Sequence, residues 1–303
     1  MSKIQTPAME KAAKRASKRK HASASPMVTA VRRLARNKLA MIGFAIFVLY
    51  LIVLIVPGLF TNQSYEQQDY SNVFASPGKE HLMGTDNLGR DIFTRIIYAT
   101  RVSLGIGIMA VAVSLFVGGT FGAVAAFYGG RVDDIIMRFI DVLQSIPGML
   151  LAISIATALG KTVFNLLLAM GISTIPPYAK VVRASVLTAK DRQFIEAGKC
   201  LGADDSWLIL KHMIPNSLGP IIVQTTFGIA AAILSISALS YIGLGVQPPT
   251  PEWGSMLSSG KQYLQQSSAW TMTVMPGLAI LFISFALNVL GDGLRDAFDP
   301  RLK

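Results

Sequence analysis

The sequence predicts an all-α polytopic membrane protein with six transmembrane helices, and three observations carry that prediction. The first is composition. Hydrophobic residues make up 52% of the chain and charged residues only 15%, with a mean hydropathy of +0.49, whereas soluble domains keep roughly a quarter of their residues charged. The second is the spacing of the charges. Uncharged stretches run 39–65, 102–130, 142–160, 162–179, 212–251 and 262–291, and a helix needs about 20 apolar residues to cross a hydrocarbon core of roughly 30 Å. The third is the distribution of Lys and Arg. With the N-terminus inside and six spans, cytoplasmic segments hold 22 of them and external segments 6, the bias that orients membrane helices.

Taken in order, residues 1–38 form a basic cytoplasmic tail with eleven Lys/Arg against Glu10. The first span covers 39–60, and a polar extracytoplasmic loop covers 61–98. Residues 99–291 form a domain of five further helices with a cytoplasmic loop at 183–216, and 292–303 form a cytoplasmic tail. Within that domain, span two is expected at 101–128, where Gly118-xxx-Gly122 lets a neighbouring helix approach closely. Span three, 136–159, is interrupted by Pro147-Gly148. Span four covers 163–182 with Pro176-Pro177 inside it. The 212–251 stretch is too short for two crossings and ends in Gln247-Pro248-Pro249-Thr250-Pro251, so it is read as one span at 217–245. Span six, 271–290, is expected to break at Pro276. Asp141, at the inner end of span three, is expected to pair with Arg138 across one turn.

Between Arg192 and Asn216 the chain reads RQFIEAGKCLGADDSWLILKHMIPN, a soluble amphipathic segment set between apolar runs. Phe194, Ala197 and Leu201 share one face of a short helix. Gly202 permits a sharp turn or the close approach of another backbone. Asp204, Asp205 or Ser206 caps a second helix, and Pro215, after Ile214, is expected to end it. A loop of this construction suggests a docking element.

Several function classes are excluded. The formal net charge of +11 is concentrated in the tail, where it serves as a topology signal and favours anionic membrane lipid. No base-reading motif accompanies it, so no nucleic-acid partner is expected. Cys200 stands alone, so no internal disulfide forms. Gly160-Lys161-Thr162 lacks the upstream glycine of a phosphate loop, since Ile155 occupies that position, and Gly105–Ala110 lies inside an apolar helix rather than after a strand. The three histidines sit in separate segments. No catalytic constellation, cofactor site or metal site is expected.

The segment Glu196-Ala197-Gly198, three residues, then Gly202 and later Ile214-Pro215 resembles the EAA motif of ABC importer permeases. Met83-Gly84-Thr85-Asp86-Asn87-Leu88-Gly89-Arg90-Asp91, Arg101-Val102-Ser103-Leu104, Pro248–Gly254, Gly291–Asp296 and Asp299-Pro300-Arg301 are similar to motifs of the peptide/nickel branch, in the second permease of its pair. The resemblance spans about Arg32 to Lys303. Gly198 replaces the motif's second alanine, and the segment before Gly84 is short for the branch. The resemblance implies a type I ABC importer permease fold in a bacterial or archaeal plasma membrane. It implies a second homologous permease, two cytoplasmic ATPases that bind the ATP, and an extracytoplasmic solute-binding protein. Peptides are the implied cargo, with nickel chelates, glutathione-like molecules and glycosides as alternatives. The implied ATPase-coupling residues are Phe194, Glu196, Ala197, Gly198, Leu201, Gly202, Ile214 and Pro215, with Glu196 either meeting a basic group on the partner or simply solvated.

Overall fold

A computed structural model describes residues 26–299, apart from 191 and 267. The basic tail up to residue 25 and the Pro300-Arg301 part of the closing motif lie outside the described residues. Among those described, no strand forms beyond an isolated bridge between Thr85 and Asp91. Helix α1 (Pro26–Leu34) leads into α2 (Lys38–Ile55), whose first turn is capped by Asn37 accepting from the Ala40 N–H at 3.1 Å. A polar segment then reaches α3 (Ile92–Tyr128), capped by Asp91 accepting from the Thr94 N–H at 2.7 Å and stopped at Gly129, where φ is +67°.

Next come α4 (Gly130–Ser145) and α5 (Gly148–Leu159), bent by 82° across Ile146-Pro147. The expected third span is therefore two helices rather than one interrupted rod. Pro147 supplies no N–H and restricts the residue before it, so the helix stops at Ser145. Helix α5 is only about 18 Å long at 1.5 Å per residue. Asp141 pairs with Lys180 at 2.8 Å, not with Arg138, and Asp133 receives the Arg183 Nε at 2.6 Å. Both partners lie on α7, so the charged face of α4 is fastened to another helix instead of closing on itself.

Helices α6 (Val163–Ser173) and α7 (Ile175–Lys190) meet at Thr174. Pro176-Pro177 fall in the first turn of α7, where N–H groups have no helical acceptor, so they start a helix rather than kink one. Helix α7 lies directly on α3. A Cβ at Gly118 would stand 2.6 Å from Ile175 O, and one at Gly122 2.2 Å from Ala179 O, so the two backbones touch where the small residues recur. After the 192–216 segment, α10 (Ile214–Tyr241) and α12 (Thr271–Phe298) run through Pro220 and Pro276 without ending, with α11 (Trp253–Gly260) between them. The expected break at Pro276 is absent; neighbouring helices hold the chain straight enough to continue past the missing donor.

Among the described residues, four helices are each long and apolar enough to cross a membrane, and the bent α4–α5 pair brings the number to as many as five. The α6–α7 pair supplies a further apolar stretch in two pieces, which is compatible with six spans. The main core gathers α3, α5, α6, α10, α11 and α12 around Leu104, Ile233, Ile236, Trp253 and Ile283. One end of the bundle carries residues 56–91 and 242–270. The other carries the 192–216 segment, α1 and the end of α12, where the Arg33 Nη1 donates to Asp299 O at 3.1 Å.

Candidate functional site

The 192–216 segment forms α8 (Gln193–Cys200), a turn, α9 (Asp205–Leu208) and a π-turn (Ile209–Met213) that continues into α10. The turn follows from Gly202, whose φ is +76°. The Ala203 N–H bonds back to Gly198 O at 3.0 Å, the six-to-one closure of a glycine-stopped helix. Of the three candidate caps, Asp204 does the capping, accepting from the Ser206 N–H at 3.1 Å. Hydrogen bonds from Ser206 hold its carboxyl below the usual Asp range. Pro215 does not end the second helix. It sits in the first turn of α10, and the wider π-turn before it accommodates the lost donor.

The segment has two unlike faces. Ile195, Leu208 and Met213 are buried and pack with Val182 and Val186 of α7, Ala123 and Phe127 of α3, and Ile221 of α10. Gly198 belongs to this inner contact, because a Cβ there would come within 2.8 Å of Leu208 Cδ2. Lys190 Nζ donates to Ala126 O at 3.1 Å and ties the start of the segment to the end of α3. On the outer face Phe194, Ala197 and Leu201 are exposed, Leu201 at 88%. Glu196 is also exposed and makes no ion pair among the described residues. Among the described residues, nothing beyond its chain neighbours lies within 4 Å of a Cβ placed on Gly202, so its glycine serves the turn there and not a close approach. Ile214 is half-buried and Pro215 exposed, at the root of the segment rather than on its face.

Two outer-face residues escaped the sequence reading. Trp207 (43% exposed) and Leu210 (66%) extend the apolar surface. His212 packs edge-on against Trp207, ring centroids 4.3 Å apart, and near Phe194 at 6.1 Å. A tryptophan in a soluble loop was the available signal.

At the opposite end the structure brings together the Met83–Asp91 and Pro248–Gly254 motifs. Asp86 accepts from the Leu88 and Arg90 N–H groups at 2.8 and 3.0 Å and from Arg90 Nε at 2.7 Å. Glu252, fully buried, caps α11 by accepting from the Gly254 and Ser255 N–H groups, and takes a bond from Ser103 Oγ at 3.1 Å. Burial pushes its carboxyl above the ordinary Glu value. Trp253 is buried against Tyr50, ring centroids 5.9 Å apart, with its Nε1 directed at Ile96 O. No group of three metal-ligating side chains occurs among the described residues.

Residues 118–303 match the family of binding-protein-dependent transport system inner membrane components. The chain belongs to that family. Residues 25–77 match the N-terminal TM domain of oligopeptide transport permease C. A dipeptide transport system permease protein, DppC, of Alkalihalophilus pseudofirmus is 42% identical over 283 residues, covering 93% of this chain and 92% of its own. A di/tripeptide transport system permease protein of Pseudomonas aeruginosa is 43% identical, covering 73% of each chain. The glutathione transport system permease protein GsiD of Escherichia coli is 40% identical, covering 90% of this chain and 89% of its own. Among solved structures, the inward-facing MetNI methionine ABC transporter shares the fold, with a TM-score of 0.51 at 14% identity over 66% of this chain and 96% of the matched one. The protein is thus a multi-pass inner-membrane permease subunit with the type I fold.

Proposed function

We propose that this permease is one half of the translocation pathway of an ATP-driven importer of di- and oligopeptides. Its partners are a second permease, two cytoplasmic ATPases and an extracytoplasmic binding protein. The 192–216 segment is the seat of an ATPase, with Phe194, Leu201, Trp207 and Leu210 as the apolar contact and Glu196 at its edge. Both termini and this segment face the cytoplasm, and the 56–91 and 242–270 regions face outward.

The observation that carries the reading is the segment's two-faced construction. Ile195, Leu208 and Met213 anchor it in α3, α7 and α10, while its outer apolar side chains stay exposed among the described residues. A partner that turns the segment therefore turns α7 and α10 with it, a rigid-body route to alternating access. The peptide cargo rests on the length and level of similarity to the dipeptide permease. Comparable similarity to GsiD supports glutathione, itself a small peptide, as a second cargo.

The test is reconstitution of the five-subunit complex in vesicles, with uptake of labelled dipeptides and glutathione measured against ATP. Leu201→Asp should leave membrane insertion intact and abolish both ATPase co-purification and uptake. Full uptake by that variant would remove the segment from the coupling role.

A further inference from the structure

A small cavity lies between the two external motifs, with a volume of about 40 Å³, lined by Asp86, Arg90, Arg95, Thr250, Ser259 and Met272 among others. Arg90 and Asp86 side chains are 11% and 7% exposed, and Arg95 7%. Two guanidiniums thus meet one carboxylate in a nearly dry space.

The carboxylate is already engaged. Its oxygens take the Leu88 and Arg90 N–H groups and Arg90 Nε, while Arg95 Nε stands 3.8 Å away, beyond a hydrogen bond. The neighbouring acids do not make up the difference. Asp91 is held by His81 at 3.0 Å and by the Thr94 N–H, and Glu252 turns onto Ser103 and the start of α11. Each guanidinium offers five N–H donors. For Arg95 the structure gives one hydrogen bond, Nη1 to Tyr65 O at 3.0 Å. The three buried groups therefore carry one net positive charge beside the cavity, with Asp86 shared between Arg90 and Arg95 at ion-pair distance, and buried charge that is incompletely balanced is costly.

We propose that this cavity is an anion site that takes a single carboxylate. Size sets the class. A water needs roughly 10–15 Å³ of such space, so the cavity admits a group of about three heavy atoms and excludes a peptide. The carboxylate sits between Arg90 and Arg95, where planar forked donors match its two oxygens. It arrives either as a free anion or as an Asp or Glu side chain of a protein docked on the external face. Ser259, exposed at the rim, marks the entrance.

The probe is ¹³C-formate, its binding followed by saturation-transfer NMR on the assembled transporter in lipid discs. Saturable binding is expected in the natural protein. Arg95→Gln should weaken it roughly tenfold or more, the loss of a charged hydrogen bond. Ser259→Leu, which closes the rim and leaves both arginines in place, should abolish it without lowering the thermal midpoint of the complex. A signal that rises linearly with formate, or that survives unchanged in both variants, overturns the proposal. Addition of the binding protein then separates the two sources: displacement of formate assigns the carboxylate to that protein's side chain, and retention assigns it to a free anion. This last arm rests on the proposed importer assembly, whereas formate binding does not, so the two readings fail separately.

Discussion

The two ends of this permease are built on opposite plans. At the end that the proposed topology places outside, polar bonds stitch distant segments together: Ser103 of α3 bonds Glu252, Arg101 donates to Leu54 O and Ile55 O at 3.1 Å, and Thr85 Oγ1 accepts from the Ala75 N–H at 2.7 Å. Gly89 lies so tightly on Asp69 that a Cβ would fall 1.8 Å from its carbonyl oxygen. At the other end, the 192–216 segment is held by three apolar plugs and leaves Leu201, Leu210, Trp207 and Phe194 in the open. The external end is joined largely by bonds within one chain. Under the proposed assembly, the segment is finished only against the ATPase.

The largest effect should therefore come from the external core. Trp253→Ala removes a fully buried indole from between α3, α11 and α2, and truncations of this kind cost about 3–5 kcal/mol. A thermal midpoint of the purified complex measures it. If Leu208→Ala, the matching truncation in the loop anchor, lowered the midpoint as far, the contrast between the ends would collapse. Cavity costs depend on how far a site can relax, and the thinly covered loop should relax more.

Two glycines with the same backbone sharpen the contrast. Gly89 has φ +70° and Gly202 φ +76°. Alanine at either pays the left-handed penalty of about 1–2 kcal/mol. Only at Gly89 does the added carbon also collide with backbone, so Gly89→Ala should open the 56–91 region to limited proteolysis from outside. Gly202→Ala should cost little beyond the conformational term. Equal proteolytic sensitivity in the two variants would mean that packing does not distinguish them.

Much of this was legible from residue order, because burial in a bilayer leaves a linear trace. The uncharged runs foretold α2, α3, α10 and α12, and the Gly118–Gly122 spacing foretold the contact that α7 fills. The outer face of α8 followed from i, i+3, i+7 spacing alone. What escaped was non-local. Asp141 had Arg138 one turn away, yet the 82° bend at Pro147 swings α4 against α7, where Lys180 competes and wins. No periodicity encodes a bend angle. Pro215 reads as a stop because the i−4 ladder cannot accommodate it, while a π-turn changes the ladder and lets the helix continue. Trp207 was missed because the Gly202 turn ends the helical-face count begun on α8, and Leu210 because it sits in the π-turn, which shifts the register on which such a count depends.

Removing apolar area from the loop should separate function from stability. Leu201 and Leu210, 88% and 66% exposed, touch little of their own chain, so Leu201→Ala together with Leu210→Ala should change stability by no more than about 0.5 kcal/mol per site, as surface substitutions do. Under the proposed assembly, co-purification of the ATPase and peptide uptake should nevertheless fall at least tenfold, since two large apolar anchors are lost. A destabilised subunit with normal ATPase recovery would place these residues in the fold and not at an interface.

The smallest effect is a difference in sign. Each end has a carboxylate capping a short helix, Glu252 before α11 and Asp204 before α9. Desolvation raises the Glu252 carboxyl above its ordinary 4.5, so between 4.5 and that raised value the folded state keeps a proton the unfolded chain has lost. Its contribution to stability is complete below 4.5 and is lost as pH rises through the folded value. Asp204 runs the other way. Bonds from Ser206 depress it below 3.8, so its contribution is present above 3.8 and is lost as pH falls through the lower folded value. Hydrogen exchange of the complex, corrected for intrinsic rates, reads both caps in one experiment. Protection of the Gly254 and Ser255 amides should decline with rising pH, and Glu252→Gln should flatten that decline. Protection of the Ser206 amide should decline only toward strong acid, and Asp204→Asn should remove that dependence. The Asp204 change should be the fainter one, because that carboxylate is fully in solvent and water screens its bonds. If both amides lost protection in the same pH direction, burial would not be what separates the two caps.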